Sequence, residues 1–322
     1  MELRSIYLAK GWTKRIRIKA SLLRLGGILN EAVKETDNLK KKLIKISAKQ
    51  LAKGPSQGCR AIVDSSKAYG IWKMLLLRNF CVDRIFSLGN SSFVHTNLEG
   101  ISWLDSKLCT KDLFTRIPNL KKLGIDGGYV ENNLDCFYNF VHLGKLEELS
   151  IREWSNFNHI PCSGIPWATS FLPNLKKLKF FLTYLTWSDI RLFGMLPNLE
   201  VLKLKRASAS NDITWEPSEE GFRQLKRLVI EDTFLERWNA VGDHFPLLEC
   251  LELRECKHLR EIPSGFADIT TLALIQLNRC WDSVLVSAKL IQEMQYNNYG
   301  NALIVRSESI MTEEESDEWM TA

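Results

Sequence analysis

A chain of 322 residues with 45% hydrophobic and 25% charged side chains has the composition of an ordinary globular protein and is long enough to bury a substantial core, which excludes disorder throughout. No apolar run approaches the roughly 20 residues that span a bilayer, and Met1-Glu2-Leu3-Arg4 leads into charge rather than the apolar core of a signal peptide, so a cytoplasmic location is expected. The net charge of +5 conceals 15 Lys or Arg against 4 acidic residues in positions 1–60, six acidic residues after Arg306 and a neutral middle; nucleic-acid binding is therefore not expected of the body of the chain.

Residues 1–70 read as a basic N-terminal segment. Ala32, Val33, Leu39, Leu43 and Ile46 fall at helical spacing, and Gly54-Pro55 ends that stretch. A solvated helical cap is one reading; a helix touching a membrane surface or a partner through residues 1–60 is the other. Residues 71–97, with Trp72, Leu75 to Leu77, Phe80 and Ile85, resemble one degenerate repeat, as terminal repeats often do because they close the core.

From Leu98 onward one string recurs, Leu-x-x-Leu-x-Leu. A weak copy, Leu98-Glu-Gly-Ile101-Ser-Trp103, precedes Ile117-Pro-Asn-Leu120-Lys-Lys-Leu123-Gly-Ile125 and Leu143-Gly-Lys-Leu146-Glu-Glu-Leu149-Ser-Ile151. Leu172-Pro-Asn-Leu175-Lys-Lys-Leu178-Lys-Phe180 and Leu196-Pro-Asn-Leu199-Glu-Val-Leu202-Lys-Leu204 follow. Phe222 to Ile230, Phe245 to Leu253 and Ile269 to Leu277 complete the series. The anchors lie 22 to 29 residues apart, which is the period of leucine-rich repeats. One such string arises by chance in any amphipathic helix; eight at near-constant spacing do not.

Alternate side chains of a strand point to opposite faces, so Leu123 and Ile125, or Leu202 and Leu204, point inward. One repeat cannot bury its leucines alone, and neighbours must stack around a shared core. The expected architecture is an α/β leucine-rich-repeat solenoid, a curved parallel sheet with an irregular or helical convex side. It has about eight to nine repeats over 71–306, preceded by the short helical segment and followed by an acidic disordered tail, 307–322. Cys256 and Cys280 stand where such repeats turn out of the strand. Trp154, Trp167, Trp187, Trp215 and Trp238 fall in connecting segments, where core packing is expected.

Chemistry is sparse. There is no phosphate loop, no dinucleotide fingerprint and no nucleophile elbow, and the eight cysteines include no Cys-x-x-Cys pair. No catalytic, cofactor-binding or metal-binding residues are expected, and the chain does not read as an enzyme. The informative positions are the outward ones on the strands: Lys122, Asp126, Glu148, Arg152, Lys177, Lys179, Phe181, Val201, Lys203, Lys205, Arg227, Glu231, Glu252 and Arg254. Cys250 shares that face, with nothing in the sequence to activate it. The central lysines with Phe181 and Val201 form a basic stripe with apolar points that suits an acidic protein partner. The same lysines would equally keep an exposed sheet soluble.

Thr115-Arg-Ile-Pro-Asn-Leu-Lys-Lys-Leu-Gly-Ile125, Phe171-Leu-Pro-Asn-Leu-Lys-Lys-Leu178 and Cys256-Lys-His-Leu-Arg-Glu-Ile-Pro-Ser-Gly-Phe-Ala-Asp-Ile269 resemble the C-terminal repeats of plant coiled-coil nucleotide-binding leucine-rich-repeat immune receptors, most closely the late-blight-resistance type. Ala288 to Glu293 is similar to that group's final helix, and residues 28–53 are faintly similar to a coiled-coil remnant. The resemblance covers residues 70 to 306. It implies a non-enzymatic recognition module of plant innate immunity, binding a pathogen effector, a host guardee or another receptor domain. The nucleotide switch of such receptors sits in a separate domain, and its phosphate loop is absent here. Two alternatives stand beside this: a substrate adaptor of a ubiquitin ligase, for which residues 1–60 show no F-box pattern, and a non-functional receptor fragment.

Overall fold

A computed structural model describes residues 60–62, 72, 74–81, 85, 92–127, 135–154, 172–183, 185–207, 213–219 and 221–311. Its strands are β1 (Arg60–Ile62), β2 (Asn79–Cys81), β3 (Gly100–Asp105), β4 (Lys122–Asp126), β5 (Glu148–Trp154), β6 (Lys177–Thr183) and β7 (Val201–Lys205). They continue as β8 (Thr214–Trp215), β9 (Arg227–Glu231), β10 (Arg237–Trp238), β11 (Cys250–Arg254), β12 (Leu274–Asn278) and β13 (Ile304–Glu308). Eleven of them form one parallel sheet in chain order, β8 and β10 forming a separate two-stranded ladder on the other side of each turn. Sequence neighbours that are also sheet neighbours, all parallel, require the chain to wind one way in successive coils.

Register follows from the leucines. Leu123, Leu149, Leu178, Leu202, Leu228, Leu251 and Ile275 stand opposite one another across seven strands, and Ile125, Ile151, Phe180, Leu204, Ile230, Leu253 and Leu277 form a second inward row. All are 2% exposed or less and belong to one continuous apolar core running from Trp72 to Leu303. Slipping any strand by one residue would turn these side chains to solvent. Each inward leucine contributes about 1.5–3 kcal/mol by burial, so the register is strongly fixed.

Two recurring devices join the coils. At the exits of β7, β9, β11, β12 and β13 a non-glycine residue adopts left-handed geometry, at Arg206, Asp232, Glu255, Arg279 and Ser309, with φ near 50°, and Leu182 does the same near the end of β6. The turn drops the next residue into the core: Ala207, Cys256 and Cys280 are fully buried there. The Cys256 thiol reaches the Ile230 carbonyl at 3.5 Å, and the Cys280 thiol reaches that of Leu253 at 3.4 Å, each one coil back. At the strand entry, Asn Nδ2 groups donate to carbonyls of the preceding coil: Asn97 to Leu75 at 2.8 Å, Asn119 to Thr96 at 2.7 Å, Asn174 to Gly144 at 2.7 Å and Asn198 to Pro173 at 2.6 Å. The asparagine of the Pro-Asn-Leu string therefore has a structural task along the rim.

The convex side is made of short pieces. Helix α1 (Lys111–Arg116) starts on Thr110, whose hydroxyl accepts the Leu113 N–H. Helix α2 (Asp135–Tyr138) and helix α3 (Trp187–Phe193) lie further along the chain. Thr186 and Asp189 cap α3 reciprocally, at 3.0 and 2.9 Å. The long helix α4 (Asp282–Tyr299) closes on Gly300, whose φ of 68° needs no Cβ to be accommodated. Behind β8 and β10 the aromatic rings stack from coil to coil. Trp187 lies 5.2 Å from Trp215, and Trp215 lies 5.1 Å from Trp238, with interplanar angles of 26° and 13°. These three tryptophans pack the core, as their place in the connecting segments suggests; Trp167 and the Trp154 side chain lie outside the description.

The flanks differ from the reading of the sequence. Residues 60–62 are strand β1, paired with Asn79–Cys81, rather than part of a helical segment. The basic helix expected over 31–53 lies outside the described residues. Ser307 and Glu308 do not begin a disordered tail: they finish β13, and Met311 bridges to Trp281. Residues 312–322 lie outside the described residues. The sheet thus holds more strands than the eight to nine repeats expected, because β1 and β13 pair through backbone without the leucine string.

Candidate protein-binding face

The sheet face away from the helices carries three outward rows. The first holds Lys122, Glu148, Lys177, Val201, Arg227 and Cys250; the middle one Gly124, Ser150, Lys179, Lys203, Val229 and Glu252; the third Asp126, Arg152, Phe181, Lys205, Glu231 and Arg254. All the expected positions are thus on one face, but they are not equally available.

Asp126 and Glu252 are buried, each with a side chain 1% exposed, and a partner cannot reach their carboxylates directly. The cause is their long neighbours. Arg152 pairs with Asp126 at 3.1 Å and stacks its guanidinium 4.0 Å above the Trp103 ring. Glu252 is held between Arg227 and Arg254, the latter at 2.7 Å. Much of the basic stripe is likewise answered by acids within the sheet. Glu148 accepts from Lys122 at 3.0 Å and Lys177 at 3.1 Å, and Lys205 pairs with Glu231 while lying 5.6 Å from the Phe181 ring. Burial works against ionisation of Glu148, but the bonds from its two lysines outweigh it and hold the carboxyl below its ordinary range.

Lys179 and Lys203 are different. They stand directly opposite one another on β6 and β7, both half-buried, with no ion pair among the described residues. Burial lowers the pKa of the Lys203 ammonium; the Arg227, Lys179 and Arg254 charges push the same way, and Glu252 opposes them. Phe181 and Val201, half-buried, flank the pair on the adjoining rows. Cys250 is no activated nucleophile: burial and the Glu252 carboxylate raise its thiol.

One aromatic belongs to this face against the sequence pattern. Trp103 occupies an inward position of the weak first copy, yet its φ of 54° inserts a bulge into β3 and shifts the register between Ile101 and Leu104. Leu104, expected to face outward, is fully buried as a result, and Trp103 lies on the outer face beside Gly124 and Arg152. The only sequence signal was the glycine opposite: a Cβ on Gly124 would stand 2.9 Å from the Trp103 nitrogen.

Winding, inward leucines and a continuous parallel sheet together define a leucine-rich-repeat solenoid. No protein-family model matches the chain. Over 257 residues, 76% of its length, it is 35% identical to late blight resistance protein homolog R1B-16 of Solanum demissum, and over 244 residues 32% identical to homolog R1B-23 of that species. A shorter stretch of 138 residues is 41% identical to homolog R1B-13. The repeat-bearing chain is thus homologous to part of the late blight resistance protein homologs, the resemblance its motifs suggested. It spans only 19%, 18% and 12% of these relatives. Among solved structures, TLR13 in complex with ssRNA13 aligns with 64% of the chain at 19% identity and a TM-score of 0.41, and a leucine-rich-repeat protein of Leptospira interrogans with 74% at 15% identity and 0.27.

Proposed function

We propose that this chain is a non-enzymatic recognition module in plant disease resistance, acting in the cytoplasm and binding a protein through the outer face of its sheet. The observation that carries the reading is the 35% identity to a late blight resistance protein homolog across three quarters of the chain. The face supports it: its rows offer lysines, arginines and isolated apolar side chains on one continuous sheet. The partner class is a pathogen effector, a host protein guarded by the module, or another receptor domain. No described helix is long and apolar enough to cross a membrane.

Ser150→Arg tests it, because it plants a long cation on the floor of the middle row without touching the core. Proximity labelling in plant cells should recover fewer partners from this variant than from the parent chain, at equal folded abundance. An unchanged set of partners refutes binding through this face.

A further inference from the structure

We infer that Lys179 and Lys203 form the reading head of this face, and that they take a partner helix presenting two carboxylates three or four residues apart. The inference rests on the reading of the outer sheet face as protein-binding. The other cations of the face are already engaged by carboxylates. Lys122 and Lys177 share Glu148, Lys205 holds Glu231, Arg152 holds Asp126, and Arg227 and Arg254 share Glu252. Recruiting any of these for a partner requires breaking an internal ion pair, so the exchange gains little.

Lys179 and Lys203 have no such internal partner among the described residues, and they sit in register on adjacent strands. Strands lie about 4.8 Å apart, so two ammonium-bearing stems rise side by side from the floor. Arg227 and Arg254 also repel the Lys203 ammonium, and their two charges meet the single carboxylate of Glu252. Glu252 offsets only part of this charge, so the local field is net positive, which makes a site complementary to acidic groups.

Spacing selects among acidic partners. On a helix, residues three or four apart have Cβ atoms about 5–6 Å apart and share a face, close to the strand separation. A helix laid across β6 and β7 can place two carboxylates on the two lysines in one approach. Phe181 and Val201 then lie beside the pair and give apolar contact to the side chains flanking the acids. Residues two apart on a helix point to different faces and cannot do this.

The experiment uses the full chain and two fluorescein-labelled alanine-based helical peptides of identical composition. One carries its glutamates every fourth residue; the other carries them in pairs two residues apart. Fluorescence anisotropy at low salt should show the first binding more tightly. Lys179→Glu with Lys203→Glu should weaken it roughly tenfold or more, whereas Lys122→Glu with Lys177→Glu should change it by less than about threefold. Circular dichroism melts confirm that both variants fold. Equal binding of the two peptides, equal loss from the two variant pairs, or absence of peptide binding each overturns the proposal. So does an equal preference for a DNA duplex of matched charge, or a large gain in affinity when the chain is ended at Met311, which would make its own acidic residues 313–318 the occupant. If Ser150→Arg abolishes partner recovery in cells while Lys179→Glu with Lys203→Glu does not, the face still binds protein and only the carboxylate rule fails.

Discussion

Gly124 shows how one missing methyl group can shape a surface. Its Cβ would stand 2.9 Å from the Trp103 nitrogen and 3.4 Å from the indole ring, so Gly124→Ala must displace Trp103 and the Arg152 guanidinium stacked on it. A loss of about 1–3 kcal/mol is expected in urea unfolding, as for other overpacked sites. Glu252 poses the opposite problem, a buried carboxylate satisfied by two arginines; Glu252→Gln should cost about 1.5–3 kcal/mol, read by the same titration. Glu148 adds a pH dependence. Its folded pKa lies below the unfolded value, so its contribution is complete above the ordinary carboxylate range near about 4 and is lost as pH falls through the depressed folded value. Glu148→Gln should flatten the fall in melting temperature over that acidic window, and an unchanged acid limb would show that the two lysines do not hold the carboxyl. These residues also mark the limit of what the sequence reveals. Alternation places Asp126, Glu148 and Glu252 on the outer face correctly, but it cannot tell that arginine stems will cover two of the three, because cover depends on side-chain length on neighbouring coils.

At the scale of the element, the Pro-Asn-Leu string is as much a hydrogen-bonding device as a hydrophobic one. Asn198→Ala removes the 2.6 Å bond to the Pro173 carbonyl, and about 0.5–1.5 kcal/mol should be lost in thermal or urea unfolding. Asn198→Asp should lose at least as much, since a carboxylate cannot donate to that carbonyl. If neither variant moves the unfolding curve, the rim bonds are exchanged freely with water. The inward rows were legible because their period is set by burial, which leaves a strong mark on composition. Strands β1 and β13 were not. Arg60-Ala-Ile62 and Ile304-Val-Arg-Ser-Glu308 pair through backbone groups that every residue carries, at the two ends of the sheet where a full leucine set is not required. The bulge at Trp103 was equally hidden, because left-handed backbone at a bulky residue is imposed by surroundings rather than by local preference.

For the molecule as a whole, stability is divided between the sheet and the aromatic stack behind it. Trp215 is fully buried and touches Trp187, Trp238, Phe222 and Phe245 across three coils. Trp215→Ala should cost about 3–5 kcal/mol and lower the midpoint of denaturant unfolding far more than Phe181→Ala on the outer face. Comparable losses from the two would mean that the stack is not a structural spine. From β4 to β13, the junctions between coils are not alike. Most carry a contact between a carboxylate on one strand or its exit turn and a donor on the next: Asp126 with Arg152, Glu148 with Lys177, Glu231 with Lys205, Glu252 with Arg227, Glu255 with Arg279, and Glu308 with Asn278. Between β6 and β7 the facing pairs are instead Lys177 with Val201, Lys179 with Lys203 and Phe181 with Lys205. Separating the strands at any of the former seams strands a charge, whereas a cut at this one breaks no ion pair among the described residues. Exchanging a coil there would change the surface where Lys179 and Lys203 meet while keeping the ion pairs of the other junctions.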